Sequence, residues 1–574
     1  MKRIGFALRI FFALALPYFR FGDDRWTGRA MVAGVVALEF ALVYVAILVN
    51  QWHGRFFNAL DAGDWAVARA ELAVFGLIVL LTIATGAAQY WFGQHFQIRW
   101  RRWMTNRFAA LWLDRARYYR LPFVAGDIDN AQLRIVQDIA VFIQKTHEVG
   151  AGFIGVLITL TSFAVILWGL SSTAPLPLNG VDLSFPGYLI VVALLYSMIG
   201  TLLAHVIGRR LVQLNFNQQR READIRYATT RVLDNSEQIA LLGNETVERA
   251  EIRRRVDNLV GNWTVLAAVQ TRLTGFIYGY NQVSAVFPIL VVSPAYLAGA
   301  ITLGALMQAA AAFQRMESGF SFIITSYSRI AEWKAAMDRI AQLETALANS
   351  DRERLPGAAI GFERGEGSRV TVDDLLIRSP SGAIIAEIEA LSLGPGERLL
   401  IVGNSGSGKS SVIRTLAGIW PFGEGRIIVP RSAHILSLSS RPYFPLGSLR
   451  QAVSTPAVAG EFTDAEISAA LAAVGLGYLG ARLDEERDWP AALSGGDRQR
   501  VNFARAFVHR PDILFMDNIA SEMPEDDARA LYLGLVEKLP EAIIVTTSAG
   551  GLDGQAKWRR LVLEPPARRS APSS

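Results

Sequence analysis

The 574-residue sequence contains no cysteine, and only 19% of its residues are charged. The absence of cysteine excludes disulfide bonds, thiolate metal sites and cysteine nucleophiles. In a soluble protein roughly a quarter of the residues are usually charged. Here the charged fraction is lower, while 51% of the residues are hydrophobic and the mean hydropathy is +0.27. The scarcity of charge therefore predicts a membrane-embedded part joined to a soluble part.

Long apolar runs supply the membrane part. The first run holds eleven Val, Ile, Leu or Phe residues, together worth roughly −5 kcal/mol on the membrane-insertion scale. Its single charge, Glu39, costs only about 2.5–3.5 kcal/mol on that scale, so the run is expected to span. Six spans are predicted by this reasoning, at about residues 30–50, 71–92, 149–169, 187–207, 273–299 and 302–326.

Arginine is distributed unevenly between the connecting segments. Segments 96–148 and 208–272 are rich in arginine, whereas loops 171–186 and 293–302 contain neither Lys nor Arg. By the positive-inside rule, both long segments and both termini are expected in the cytoplasm. Arginines interleaved with aromatic residues are typical of helices at a membrane interface, so the expected partner is the lipid bilayer and not a nucleic acid. Residues 1–22 predict an interfacial helix.

The soluble part contains a glycine-rich motif between an apolar strand and a helix-like segment at 411–419. Such a loop wraps backbone N–H groups around a triphosphate, while the lysine reaches the phosphates and the following hydroxyl binds Mg²⁺. The predicted ATP-binding residues are Gly403, Asn404, Ser405, Gly406, Ser407, Gly408, Lys409, Ser410 and Ser411.

Two later segments narrow the class of protein. Leu493-Ser-Gly-Gly-Asp-Arg-Gln499 opens a helix, and the buried strand 513–517 ends in Asp517. In this combination the chain resembles the ATP-binding cassette (ABC) transporters, whose signature motif is L-S-G-G-x-x-Q. The resemblance implies that Asp517 joins Ser410 in binding Mg²⁺. It also implies that the signature residues contact the nucleotide of a second subunit: Ser494, Gly495, Gly496 and Gln499.

Several further stretches are similar to one branch of that superfamily, the SbmA/BacA-like transporters with a fused ATP-binding domain, related to the peroxisomal fatty-acid transporters. Among them are Asn50-Gln-Trp52, Gln218-Gln-Arg-Arg-Glu222 and Leu303-Gly-Ala-Leu306. The resemblance implies a multi-pass half-transporter of a bacterial inner membrane that works as a homodimer or heterodimer. It implies an exporter-like six-helix membrane domain plus an α/β P-loop domain, and a cargo such as a peptide or a cobalamin-like solute.

The expected layout is a membrane domain at 1–345, a polar linker at 346–361 and a nucleotide-binding domain at 362–574. Within the membrane domain, Glu39, Gln308 and Arg315 are predicted to line the cargo path. The last two are seven residues apart and hence on one helix face, and charged groups inside a membrane usually mark a functional pathway.

The chain departs from the ABC pattern at positions that act on the γ-phosphate and the attacking water. Asn518 stands where the family has a catalytic glutamate, Ser440 replaces the Q-loop glutamine, Pro524 the D-loop aspartate and Ser548 the switch histidine. Loss of a general base typically removes about 10²–10⁴ in rate, unless a neighbour such as Glu522 or Glu525 substitutes.

Three functions are compatible with these residues. The first is an ATP-dependent transporter subunit whose own site binds ATP better than it cleaves it. The second is a proton-driven transporter with a vestigial nucleotide domain, in which Glu39 or Glu317 relays protons. The third, a non-transporting ATP sensor, is disfavoured by the polar residues within the spans.

Overall fold

The computed structural model describes residues 2–124, 130–173, 177–178, 181–182, 185–351, 355, 357–458, 460–547 and 558–564. The chain forms two compact units. The first comprises Met1–Ala110 and Asp129–Glu344, and the second comprises Leu111–Ile128 and Thr345–Ser574. The first is almost entirely helical, whereas the second combines helices with two sheets.

Long apolar segments form the helices that precede the soluble part. The helices up to residue 349 are α1 (Lys2–Phe21), α2 (Arg25–Asp61), α3 (Trp65–Leu113), α4 (Arg117–Val124), α5 (Ala131–Leu133), α6 (Ile139–Thr173), α7 (Tyr188–Gly208), α8 (Leu211–Asp234), α9 (Ser236–Leu242), α10 (Glu245–Leu297), α11 (Leu303–Thr325) and α12 (Tyr327–Asn349). Two short strands, β1 (Pro177–Leu178) and β2 (Val181–Asp182), pair antiparallel.

Five helical segments of the described chain are long and apolar enough to cross a membrane: Arg25–Asp61, Trp65–Phe123, Ala131–Ser172, Tyr188–Asp234 and Glu245–Leu297. Each overlaps one of the first five predicted spans, and none of these spans extends more than two residues beyond its segment. The sixth predicted span coincides with α11, which falls short of that criterion because Gln308, Arg315 and Glu317 lower its apolar character. A sixth crossing therefore stays a prediction.

Helix α11 lies at the centre of the first unit and packs against α2, α6, α7 and α10. Its buried face includes Ala312 and Phe313. Near its start it approaches α2 so closely that a Cβ added at Gly304 would overlap the carbonyl oxygen of Gly54. Two side chains of α2 stabilise this contact by hydrogen bonds. Asn58 Oδ1 accepts one from Gly304 N at 2.9 Å, and Asn50 Nδ2 donates one to Gln308 O at 2.9 Å.

The second unit is an α/β domain built on two sheets. The strands are β3 (Gly361–Gly365), β4 (Val370–Arg378), β5 (Ile384–Leu393), β6 (Arg398–Val402), β7 (Gly423–Pro430), β8 (Ile435–Ser439), β9 (Ile513–Asp517), β10 (Ile543–Thr546) and β11 (Arg559–Val562). Five of them form a sheet with the order β11-β6-β10-β9-β8, in which every pair is parallel. The other four form a sheet with the order β3-β7-β4-β5.

The helices of this domain are α13 (Lys409–Leu416), α14 (Leu449–Ser454), α15 (Asp464–Ala473), α16 (Trp489–Ala492), α17 (Gly495–His509) and α18 (Glu525–Lys538). Helix α13 begins two residues earlier than the predicted segment 411–419. It also ends earlier, at Leu416, because Gly418 adopts a left-handed φ of +77°. Helix α12 likewise continues into the first residues of the predicted linker, because Ala346 and Leu347 extend its buried apolar face.

The described residues 111–124 belong to the second unit, whereas the predicted layout places them in the membrane domain at 1–345. The ring of Phe123 meets Trp420 and Phe422 edge-on, at centroid distances of 5.6 and 5.3 Å. Arg117 Nε donates to Asp351 Oδ1 at 2.8 Å, and this pairing lowers the pKa of the Asp351 carboxyl. These contacts join residues more than 200 positions apart in the chain, so no local sequence pattern predicts them.

Candidate nucleotide-binding site

The glycine-rich loop connects the end of β6 to the start of α13. Gly406 and Gly408 have φ angles of +82° and +90°, in the left-handed region that favours glycine. A Cβ at Gly408 would also lie 2.5 Å from Ile385 Cγ2, so a larger residue does not fit. The loop and the first turn of α13 have the strand–loop–helix arrangement in which backbone N–H groups bind phosphate.

Lys409 lies across this loop. Its Nζ donates to Gly403 O at 2.6 Å and to Asn404 O at 2.8 Å. Ser407 is only 2% exposed, and its hydroxyl has no hydrogen-bond partner among the described residues. Ser407 is therefore buried, whereas Asn404 and Ser405 are exposed and Lys409 is half-buried.

Ser410 and Asp517 are brought together from positions 107 residues apart, with Ser410 Oγ donating to Asp517 Oδ1 at 2.9 Å. A hydroxyl beside a carboxylate is an all-oxygen donor set of the kind that Mg²⁺ prefers. Thr547 completes the cluster, since its Oγ1 donates to the same Asp517 oxygen at 3.1 Å. The sequence did not predict Thr547. Thr547 directly follows β10, and β10 pairs with β9, the strand that ends in Asp517. This position in the sheet is the signal that could have identified Thr547 as a neighbour of Asp517.

Of the positions that depart from the ABC pattern, Asn518 is linked directly to this cluster. Asn518 is exposed, has a left-handed φ of +49°, and donates its backbone N–H to Thr547 Oγ1 at 2.9 Å. Ser440 follows β8, the neighbour of β9 in the sheet, and Pro524 directly precedes α18. Ser548 lies outside the described residues.

Three side chains on one face of α17 hold the backbone of the segment after β8. Gln499 Nε2 donates to Ser440 O at 3.3 Å, Asn502 Nδ2 donates to Ser439 O at 2.8 Å, and Arg505 Nη2 donates to Tyr443 O. Burial lowers the pKa of the Arg505 guanidinium to about 10, which leaves it charged at neutral pH.

Gln499 has a different environment from the one predicted. It was expected to serve the nucleotide of a second subunit, but it is 1% exposed. Its amide bonds instead to Ser521 Oγ at 2.9 Å, and its Oε1 accepts from Glu522 N at 2.9 Å. Gln499 thus joins the start of α17 to the segments after β8 and after β9.

Two carboxylates flank the start of the signature motif, where Ser494 is exposed and Gly495 is half-buried. Ser494 Oγ donates to Asp497 Oδ2 at 2.7 Å and accepts from Asp497 N at 3.1 Å. A Cβ added at Gly495 would overlap the Glu522 carboxylate. The structure therefore places Glu522, one predicted substitute for the glutamate that the ABC pattern has at position 518, against Gly495, while Glu525 begins α18.

The three predicted cargo-path residues do not form one cluster. Glu39 is 9% exposed and accepts a hydrogen bond from Gln89. Gln308 lies at the α2–α11 contact with Asn50, and Asn50 is eleven residues from Glu39, or about 16 Å along the helix. Arg315 is exposed and has no ion pair with any described residue.

Comparisons with known proteins match both units. The family model for "ABC transporter transmembrane region 2" matches residues 18–297, and the "ABC transporter" model matches residues 388–521. The chain is 30% identical to the inner membrane ABC transporter ATP-binding protein YddA of Escherichia coli, covering 91% of this chain and 92% of that protein. It is also 30% identical to an uncharacterized ABC transporter ATP-binding protein of Synechocystis, covering 90% of this chain and 77% of that protein.

A more distant relative is the lysosomal cobalamin transporter ABCD4 of Mus musculus, 26% identical over 87% of this chain and 85% of that protein. The relatives thus extend across both the helical unit and the α/β domain. Together with the two matched family models and the phosphate-binding loop, they show that the chain belongs to the ABC transporter family and carries the transmembrane region and the ATP-binding domain in one polypeptide.

Proposed function

We propose that this ABC transporter moves its solute as one half of a dimer, and that its own nucleotide site binds Mg-ATP without efficient hydrolysis. The observation that carries the proposal is the composition of the site. Lys409, Ser410 and Asp517 are in place for the phosphates and the metal ion, whereas the exposed residue after Asp517 is Asn518, which cannot accept a proton. In bound Mg-ATP, these groups would hold the nucleotide's phosphates and the magnesium ion.

The cargo proposed is a peptide or a cobalamin-like solute. Support comes from the name of the mouse relative, a lysosomal cobalamin transporter. The polar surface of α11 is consistent with a water-filled path, because Gln314, Arg315 and Ser318 are exposed while the opposite face of the helix is buried. Uptake of labelled cobalamin and of a labelled peptide into membrane vesicles tests the two cargo classes.

A second half-transporter is the proposed partner. The hairpin between α8 and α10 ends in α9, where Leu241 and Leu242 are 80% and 79% exposed, and Leu233 nearby is 73% exposed. Exposed apolar side chains of this kind mark a surface that another protein covers. A homodimer would contain two impaired sites, whereas a heterodimer with an intact partner would contain one working site.

A proton-driven mechanism is the competing proposal. It is favoured by Glu39, a buried carboxylate within a predicted span that is hydrogen-bonded to Gln89. Transport in sealed vesicles separates the two. ATP-driven accumulation that survives collapse of the pH gradient supports the first proposal, and accumulation that follows the pH gradient without ATP supports the second.

Replacement of Arg315 by alanine is expected to reduce transport severalfold while ATP binding and expression stay unchanged. The reason is that an unpaired arginine within a membrane span is costly unless it faces water or cargo. Transport is measured in vesicles beside a matched control, Arg253→Ala, in the segment predicted to be cytoplasmic. If Arg315→Ala abolishes folding instead, the arginine belongs to a structural pair and not to the path.

We place the protein in a bacterial inner membrane with both termini in the cytoplasm, a location supported by the name of the Escherichia coli relative. Because the chain has no cysteine, single cysteines can be introduced freely. A cysteine at position 178 should react with a membrane-impermeant maleimide only from outside, and one at Leu241 only from inside. Labelling at 178 solely from the cytoplasmic side would overturn this topology.

A further inference from the structure

A small cavity of about 230 Å³ lies at the corner where α1 turns into α2. Asp23 and Asp24 of the turn line it, together with Arg99, Arg102 and Trp103 of α3. Its wall also includes Tyr18, which is 1% exposed and packs between Trp100 and Trp103 at ring distances of 6.0 and 5.6 Å. The cavity therefore has a rigid aromatic wall and a charged lining.

Three arginines line the cavity, and one of them, Arg107, is already paired with Glu344 at 2.6 Å. The guanidinium groups of the other two still have free donors. Arg102 Nη2 and Arg99 Nη1 both donate to one oxygen, Asp24 Oδ2, at 2.9 and 3.4 Å. Each guanidinium has five N–H donors, and neither has another partner among the described residues. The Arg102 side chain is 68% exposed. Two converging guanidiniums with free donors form a site suited to a phosphate group.

A carboxylate stands beside this pair. Asp23 is exposed and has no hydrogen bond or ion pair with a described residue. Since Asp24 already bridges the arginines, Asp23 supplies a second, unneutralised negative charge to the same cavity. The lining is complementary to a ligand that carries a phosphate and a cation close together.

The surroundings of the cavity indicate a lipid and not a soluble ligand. Phe21 and Trp26, on either side of the turn, are each 69% exposed, and Arg29 lies over the Trp26 ring at 4.7 Å. Exposed aromatic residues beside arginine are typical of the level at which phospholipid head groups lie. The turn also directly precedes the first predicted span.

We propose that this corner binds the head group of a phospholipid that bears a primary amine, such as phosphatidylethanolamine. Arg99 and Arg102 bind the phosphate, and Asp23 accepts hydrogen bonds from the ammonium. A trimethylated head group has no N–H to donate to Asp23. An anionic head group without an amine leaves that carboxylate unpaired and repelled.

The proposal is tested on the full-length protein in detergent by native mass spectrometry, which counts the lipids that the protein retains. Phosphatidylethanolamine, phosphatidylcholine and phosphatidylglycerol with identical acyl chains are offered at equal concentration. Phosphatidylethanolamine is expected to be retained about tenfold better than the other two, the difference that one charge-assisted hydrogen bond makes.

Two variants separate the two halves of the site. Asp23→Asn is expected to reduce retention of phosphatidylethanolamine to the level of phosphatidylcholine, whereas Arg102→Gln should weaken all three lipids about tenfold. Arg101→Gln, next along α3 but outside the cavity, and Asp234→Asn at the end of α8 are matched controls. Elution of each variant in size-exclusion chromatography shows whether it is folded, and Asp23→Ser replaces Asp23→Asn if the latter is not.

Equal retention of all three lipids, preference for phosphatidylglycerol, or variants that behave like the wild type would each overturn the proposal. Soluble glycerophosphoethanolamine serves as a competitor. Displacement of the lipid by this compound at equal concentration would show that the head group alone suffices, and that the corner is not a lipid site.

Discussion

The purified protein alone is expected to bind Mg-ATP and to hydrolyse it about 10²–10⁴ times more slowly than a site with a positioned base. Lys409, Ser410 and Asp517 supply the groups for binding, because the lysine is accessible and the hydroxyl and carboxylate lie 2.9 Å apart. Binding is measured by calorimetry and turnover by phosphate release. Lys409→Ala should abolish binding, while Lys538→Ala, a lysine over the Phe507 ring in the same domain, should leave it unchanged.

Asn518→Glu is expected to recover only part of the missing turnover. The new carboxylate would supply a proton acceptor, but position 548 would still be serine. The change also has a structural cost, because residue 518 has a left-handed φ of +49°. Asparagine tolerates that region better than glutamate, for which it costs on the order of 1 kcal/mol. Rapid hydrolysis by the unmodified protein, abolished by Lys409→Ala, would show that the site is not impaired.

The second large effect is expected at the α2–α11 contact, where Gly304→Ala should lower the stability of the membrane unit. The new methyl group would overlap the Gly54 carbonyl oxygen and lie 2.5 Å from Asn58 Oδ1. A backbone atom cannot rotate away, so the helices must separate, and overpacking of this kind costs about 1–3 kcal/mol or more. The apparent melting temperature in detergent should fall by several degrees.

Gly279→Ala is the matched control for that experiment. Gly279 lies inside α10, and a Cβ there would meet no atom within 4 Å. Alanine also favours a helix over glycine by roughly 0.5–1 kcal/mol, so this variant should be as stable as the wild type or slightly more stable. Equal melting temperatures for the two variants would mean that α2 and α11 are not in contact at Gly304.

Much of the α/β domain could be predicted from the sequence because its signals are local. Each of its main elements is indicated by a pattern within about ten residues. These patterns are the glycine spacing before Lys409, the apolar strand that ends in Asp517 and the serine before α17. The apolar runs likewise predict five of the long helices, because each run is a local pattern. Helix α11 was harder, because Arg315 and Glu317 reduce the very signal that identifies a span.

What could not be predicted depends on contacts between distant residues. Thr547 joins Asp517 across neighbouring strands, Phe123 packs on Trp420 nearly 300 positions away, and Gln499 turns inward although its motif suggests exposure. Glu39 and Gln308 were grouped by chemical type, and the helix geometry separates them. Residue type identifies what a side chain can do, whereas its partners are set by the fold.

The buried amide of Gln499 has a mechanical consequence. One side chain holds the backbone at Ser440, the hydroxyl of Ser521 and the N–H of Glu522, so the two loops and the first turn of α17 are tied into a single moving part. Residues 440 and 518 differ from the ABC pattern, yet Gln499 still links the segments that follow β8 and β9. We therefore expect a nucleotide that displaces one of these segments to displace the others as well, whether or not it is hydrolysed.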